Sequence, residues 1–309
     1  MGGDSRVEVV PEQGGRVRSL NLFGREWLLD DNIVPGRTDS LMARGGWDEC
    51  APAAVAGAMP DWVKGSGGRP NPEGGEARSQ HPETIISTDE GVHRVTCTWR
   101  GKSMPWQLTR TLLVRQDGAV EARYEALTTG RRRLPFLWSA NLVFPLTGDT
   151  RLKLPDGGRV RIEAVQGAKP LGEVNDSGGV WPQLTLDGKS RDLSLPWSVP
   201  RKTFFSGWLD LGGGRTLIQL MQGEECLTLT CDGSGVPYCG LVIDRGGLET
   251  GGVRRLLFSR RRSGAPAIAL RPSLGAPGRF ADALGDWQAI TWLAPGEPRR
   301  WTLTLRGGA

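Results

Sequence analysis

The sequence predicts an all-β protein, one domain over residues 1–309 built from many antiparallel strands with very little helix. Three observations predict it. Apolar residues recur at every second position almost throughout, the period of a strand with one buried face. Forty-five glycines and 21 prolines break the 309 residues into short runs joined by turns. Helical spacing appears in one short segment only. A chain of this length can bury a sizeable core without disulfide or metal staples, and its 38% hydrophobic and 24% charged residues are those of a globular protein.

The elements follow in order. Arg6–Val10 and Arg16–Leu22 alternate, then a turn at Gly24 leads into Glu26–Leu29. Val92–Arg100 alternates and breaks at Gly101-Lys102. Trp106–Val114 and Ala119–Ala126 flank Gln116-Asp117-Gly118, and an Asp-Gly pair between two alternating runs predicts a hairpin. The last strand is Arg300–Leu305. Gly278–Trp287 is the one helix candidate, with Phe280, Ala283, Leu284 and Trp287 on one face. Ala51–Gln80, rich in Gly and Pro, reads as a long loop, and loops of that length are functional or mobile.

Charge and cysteine usage exclude several classes. The net charge is +5, and of 39 basic residues six are lysine, an arginine bias that base composition of a gene produces without function. The runs Arg131–Arg133 and Arg260–Arg262 carry no interleaved aromatic residues, so a nucleic-acid partner is not expected. The longest apolar stretch, Leu134–Leu146, contains Ser139 and Asn141 and is too short and polar to cross a membrane. The start MGGDSRVEVV lacks the apolar core of a secretory signal. Five cysteines with no CxxC pair indicate neither zinc site nor redox motif, and a cytoplasmic protein with reduced thiols is the expected reading. The sequon at Asn175 then carries no weight.

Several stretches, in order along the chain, carry a family resemblance. Pro11-Glu12-Gln13-Gly14-Gly15-Arg16-Val17 with Gly24–Leu28 resembles an opening strand pair, and Gly45-Gly46-Trp47-Asp48-Glu49-Cys50-Ala51-Pro52 a GW(D/E)E-x-x-P stretch. Trp138-Ser139-Ala140-Asn141 with Phe144 resembles W-x-x-H-x-x-F, and Ala269-Leu270-Arg271-Pro272-Ser273 resembles A-[Ile/Leu]-E-P-[Ser/Thr]. Leu293-Ala294-Pro295-Gly296-Glu297 before Trp301 is similar to the L-x-P-G-E…W ending. These are motifs of the aldose 1-epimerase (galactose mutarotase-like) superfamily. The resemblance spans the whole chain and implies a large antiparallel β-supersandwich with a sugar-facing loop that starts at Trp47. It implies no cofactor and no metal.

Mutarotation requires a general base at the anomeric hydroxyl and a general acid at the ring oxygen, both titrating near working pH. In the family two histidines and the Glu of the A-x-E-P strand fill these roles. This sequence departs at all three positions: Gly74 stands in the loop-His slot, Asn141 in the W-x-x-H slot and Arg271 in the Glu slot. An amide does not donate a proton at useful cost, and a guanidinium is not a base at neutral pH. His81, Asp48 and Glu73 are the substitutes the chain offers; His81 is more readily an exposed residue before Pro82, Glu73 and Glu76 a solvated loop. His93 is a strand-face residue, Trp138 core, and Lys202 is an edge-strand lysine or a cationic sugar contact.

The candidate sugar contacts are Trp47, Asp48, Glu49, Asn141, Asp244 and Arg271. Trp47 would stack on a pyranose with Asp48 and Glu49 bonding its hydroxyls; Asp244 reaches the cleft or caps a strand-end turn. Arg271, on a central strand, must pair with a carboxylate such as Asp48, Glu49 or Asp244, or await an acidic ligand. The expected partner is therefore a small sugar, acidic if Arg271 awaits it. Three functional readings follow: a carbohydrate-binding protein without the standard acid/base residues, an active aldose 1-epimerase with a rearranged pair such as His81 with Glu73 or Asp48, or a structural protein whose cleft is vestigial.

Overall fold

The computed structural model describes residues 5–29, 42, 44–58, 70–89, 92–168, 177–212, 214–231, 235–247 and 265–308. The Arg260–Arg262 run and Asn175 lie outside them. Alternation along the strands builds two large antiparallel sheets. Across the ten-stranded sheet run β1 (Arg6–Val10), β2 (Arg16–Leu22), β4 (Trp47–Cys50), β10 (Ser139–Pro145) and β20 (Ala267–Ser273). The same sheet continues through β19 (Tyr238–Asp244), β16 (Phe204–Asp210), β12 (Arg159–Gln166) and β13 (Ser177–Val180), and the short β3 (Arg25–Glu26) pairs with β2.

The eight-stranded sheet is ordered β11 (Arg151–Lys153), β17 (Thr216–Gln222), β18 (Glu225–Cys231), β22 (Arg299–Gly308), β8 (Val120–Thr128), β7 (Trp106–Val114), β6 (Val92–Arg100) and β5 (Glu83–Asp89). Two ribbons complete the strands: β14 (Gln183–Leu186) with β15 (Lys189–Asp192), and β9 (Leu134–Phe136) with β21 (Thr291–Leu293). The Asp117-Gly118 hairpin forms between β7 and β8 as the sequence predicts, with Gly118 N–H donating to Arg115 O at 2.9 Å.

The helix forms as α1 (Phe280–Leu284), shorter than its periodic segment, and buries Phe280 and Ala283. No helix among the described residues is long and apolar enough to cross a membrane. The 13-residue apolar stretch instead supplies β9 and β10.

One hydrophobic cluster draws on both large sheets, with Trp47, Leu142 and Leu241 from one and Leu108, Leu229 and Leu303 from the other. The sheets therefore pack face to face, each giving the core its alternate residues. At its centre Tyr124 stacks on Trp301 with ring centroids 5.2 Å apart, and Trp138 tilts against both. On the opposite face of the ten-stranded sheet Val143, Val242 and Ala269 form a smaller apolar cluster, and Asp48, Asn141 and Arg271, which alternate with core residues along their strands, lie on that face.

The described parts of the 51–80 loop are pinned rather than loose. Ala51 bridges Gly75, and Gly57 bridges Asn71. Buried Asn71 donates its side-chain amide to Ala53 O at 3.1 Å, Val55 O at 3.0 Å and Pro72 O at 2.9 Å. Val55 N–H then reaches Gly278 O at 2.9 Å and ties the loop to the segment before α1.

Candidate functional site

Strand alternation decides which of Trp47, Asp48 and Glu49 can face a ligand. Trp47 and Glu49 turn into the core, where Trp47 is fully buried, so neither reaches the outer face as the sequence reading expected. The Glu49 carboxylate accepts hydrogen bonds from Arg110 Nη1 at 2.9 Å, Tyr124 Oη at 3.0 Å and Trp138 Nε1 at 2.7 Å. Arg110 in turn lies over the rings of Trp47 and Trp99. Burial pushes the Glu49 carboxyl up against the pull of these donors. This is a cross-sheet clamp rather than a ligand contact. Arg110 was legible in the sequence as an arginine in phase with Trp106, Leu108 and Leu112 on the apolar face of its strand.

Asp48 points the other way and begins a polar row. Register places Asp48 opposite Asn141 on β10, and the β10–β20 register sets Asn141 beside Arg271. Arg271 pairs with Gly240 on β19, Gly240 with Trp208 on β16, and Trp208 with Arg161 on β12. A Cβ at Gly240 would stand 3.1 Å from the Trp208 ring and 3.0 Å from Arg271 Cβ, so glycine there lets the indole lie across the strand.

Arg271 donates from Nε to Asn141 Oδ1 at 2.9 Å and places Nη1 3.8 Å from Glu163 Oε2. Its carboxylate partner is thus Glu163, not Asp48, Glu49 or Asp244. Glu163 occupies a bulge in β12, where pairing with β16 shifts between Ile162 and Ala164. A bulge re-aims a side chain, and Glu163 also accepts from Ser206 Oγ at 2.7 Å and Gly278 N–H at 3.0 Å. Sequence reasoning missed Glu163 because a bulge leaves no mark in a run of alternating residues.

The row is covered at one end and more open at the other. Asp48 sits 3.4 Å from Arg78 Nε, a residue of the 3-10 turn Ala77–Ser79, and Asp48, Asn141 and Arg271 are all 5% exposed or less. The Glu163 side chain is 13% exposed. Arg161, half-buried, stacks over Trp287 at 3.8 Å, and the half-buried Tyr238 stands on β19 beside it. Burial, followed by Asp210, raises the Tyr238 hydroxyl above its ordinary range.

The remaining sequence candidates lie elsewhere. Gly74, at φ +76°, donates its N–H to Ala54 O at 2.8 Å within the loop turn. Glu73 is exposed and accepts from Ala56 N–H at 3.1 Å. Exposed His81 belongs to a segment that crosses Gly14 and Gly15, where a glycine Cβ would touch Arg78 O and Pro82. Those glycines precede β2, three strands from Arg271, a separation of roughly 14 Å at the usual strand spacing. His93 is exposed on β6 with Nδ1 2.9 Å from Thr88 Oγ1. Asp244 ends β19 and accepts from Gly246 N–H at 2.8 Å and Gly247 N–H at 3.0 Å, capping the turn.

Lys202 is exposed at φ +61° in the turn before β16, not on the strand. Neither histidine is hydrogen-bonded to a residue of the polar row. Among the described residues no group of three or more His, Cys, Asp or Glu side chains converges as a metal site would. The row can donate and accept hydrogen bonds.

The whole-molecule geometry has close counterparts. A galactose mutarotase-like protein from Lactobacillus casei superposes over 98% of this chain and 97% of its own, with TM-score 0.61 and 17% identity. A galactose mutarotase-like protein from Clostridium acetobutylicum covers 99% and 93%, with TM-score 0.63 and 11% identity. This chain has the galactose mutarotase-like fold. A galactose mutarotase related enzyme from Lactobacillus acidophilus gives TM-score 0.59 at 14% identity. No family model matches the sequence, and no curated protein matches it. At such identities the likeness is one of fold, and fold leaves activity open.

Proposed function

We propose that this chain binds a small sugar on the outer face of its ten-stranded sheet and lacks the acid/base pair that mutarotation needs. The observation that carries the reading is the Asn141–Arg271 hydrogen bond. These two residues stand where the resembling motifs have an acid and a base, and they satisfy each other instead. Glu163, Arg161 and Tyr238 at the more open end supply an acceptor, a cation and a hydroxyl for sugar oxygens. The Trp208–Trp287 cluster supplies apolar surface beside them. Five unpaired thiols suit a reducing compartment such as the cytoplasm.

A vestigial cleft is the second reading, favoured by the burial of Asp48, Asn141 and Arg271 and by the pairing of Arg271 with Glu163. Two measurements separate the possibilities. Polarimetry on fresh α-anomers of several aldoses should give the buffer rate; catalysed anomerisation that falls in His81→Ala would replace the proposal with an active epimerase. Calorimetric titration with neutral hexoses, uronic acids and sugar phosphates should find at least one ligand, weakened about tenfold by Glu163→Gln, the loss of one charge-assisted hydrogen bond. Absence of binding across all three classes would leave the vestigial reading standing. A preference for acids would assign the ligand charge to a cation of the row, Arg271 or Arg161.

A further inference from the structure

A second polar site lies away from this row, where the chain leaves the 3-10 turn and enters β5. The segment Gln80–Thr84, the ends of β5 and β6 and the Gly101-Lys102 turn enclose a depression of about 630 Å³. Its charges are unevenly satisfied. Arg100 donates to Glu83 at 2.8 Å, so the one carboxylate in the lining is already paired. Thr84 spends its hydroxyl on Pro82 O at 3.1 Å.

Two donors facing the same depression, Lys102 and His81, have no acceptor among the described residues. Lys102 is exposed and its ammonium makes no ion pair; the nearby Glu76 carboxylate spends its oxygens on the Lys102 and Ser103 N–H groups at 2.9 and 2.8 Å. His81 is exposed beside it. The Gln80 side-chain amide nitrogen is buried behind them without a hydrogen-bond partner. Ammonium and imidazole thus border one concave surface whose one carboxylate among the described lining residues, Glu83, is paired with Arg100.

We infer that this depression binds a small oxyanion of the phosphate monoester class. A tetrahedral oxyanion accepts from several donors at once, and a lysine serves it as a point charge. The neighbouring guanidinium of Arg100 already spends Nη1 on Glu83. The site is independent of the sugar reading, because none of its residues belongs to the polar row.

The chain's two histidines make the test direct. His81 borders the depression, whereas His93 is bonded to Thr88 on the exposed part of β6 and serves as the internal reference. Inorganic phosphate is titrated into the full chain at fixed pH and constant ionic strength, with chloride as the replaced ion, while both imidazole signals are followed by NMR. The expected result is a saturable shift of His81 with His93 unmoved, and affinity weakened about fivefold in Lys102→Met, a charge lost at an exposed site. Equal or non-saturating shifts of both rings overturn the inference. So does unchanged affinity in K102M, which as a surface substitution leaves the fold intact.

Discussion

At the scale of single residues, the chain's strongest electrostatic commitment is Glu49, held by Arg110, Tyr124 and Trp138 between the two sheets. Removing one member of a buried ion pair strands the other charge, at a cost of about 3–5 kcal/mol. Glu49→Ala should therefore lower stability by that amount in urea unfolding. Arg110→Met alone should act similarly, while the double variant Glu49→Leu, Arg110→Met recovers most of the loss. If the two losses simply added, the clamp would not act as a pair. Half of this clamp was legible: Arg110 falls in phase with apolar neighbours, and Trp138 reads as core. Sequence alone groups Glu49 with the ligand contacts because its neighbour Asp48 has the same chemistry and the opposite facing. Phase along a four-residue strand separates them only once the register is known.

At the scale of elements, the turn Pro72–Glu76 decides how the 51–80 loop lies on the sheet. Gly75 adopts φ +78°, and a Cβ there would stand 2.4 Å from Ala51 O. Gly157 shares the backbone requirement at φ +81° but has nothing within 4 Å of a Cβ. Gly157→Ala should cost about 1 kcal/mol for the left-handed conformation alone. Gly75→Ala should cost clearly more, and it should speed proteolytic cleavage between residues 51 and 80. Equal melting temperatures for the two variants would show that the Ala51–Gly75 bridge contributes nothing. The strands themselves were readable, since period two survives in any sheet with a buried face. The pinning of the loop was not, because Asn71 stitches backbone carbonyls that carry no sequence signature.

At the scale of the whole molecule, the two packed sheets keep most thiols out of water. Burial pushes the thiols of Cys50 and Cys239 up to about 12, and that of Cys231 is raised as well. A cysteine thiol ionises in the unfolded chain near pH 8.5. These raised values therefore contribute stability that is complete below that pH and lost as pH climbs towards 12. Urea midpoints should fall progressively above pH 8.5, and an aromatic disulfide reagent should find only half-buried Cys226 in the native protein and all five thiols after unfolding. A native count above one, or a flat alkaline profile, would contradict the packing described. The sequence by itself determined the all-β architecture, the Asp117-Gly118 hairpin and the absence of histidine from the resembling acid and base positions, because periodicity, turn chemistry and residue identity are local properties. Only the tertiary structure decided that Asn141 and Arg271 bond to each other, that Glu163 arrives from a bulge 108 positions away in the chain, and that Trp47 and Glu49 face inward. Those outcomes depend on register between strands distant in sequence, which no local pattern encodes.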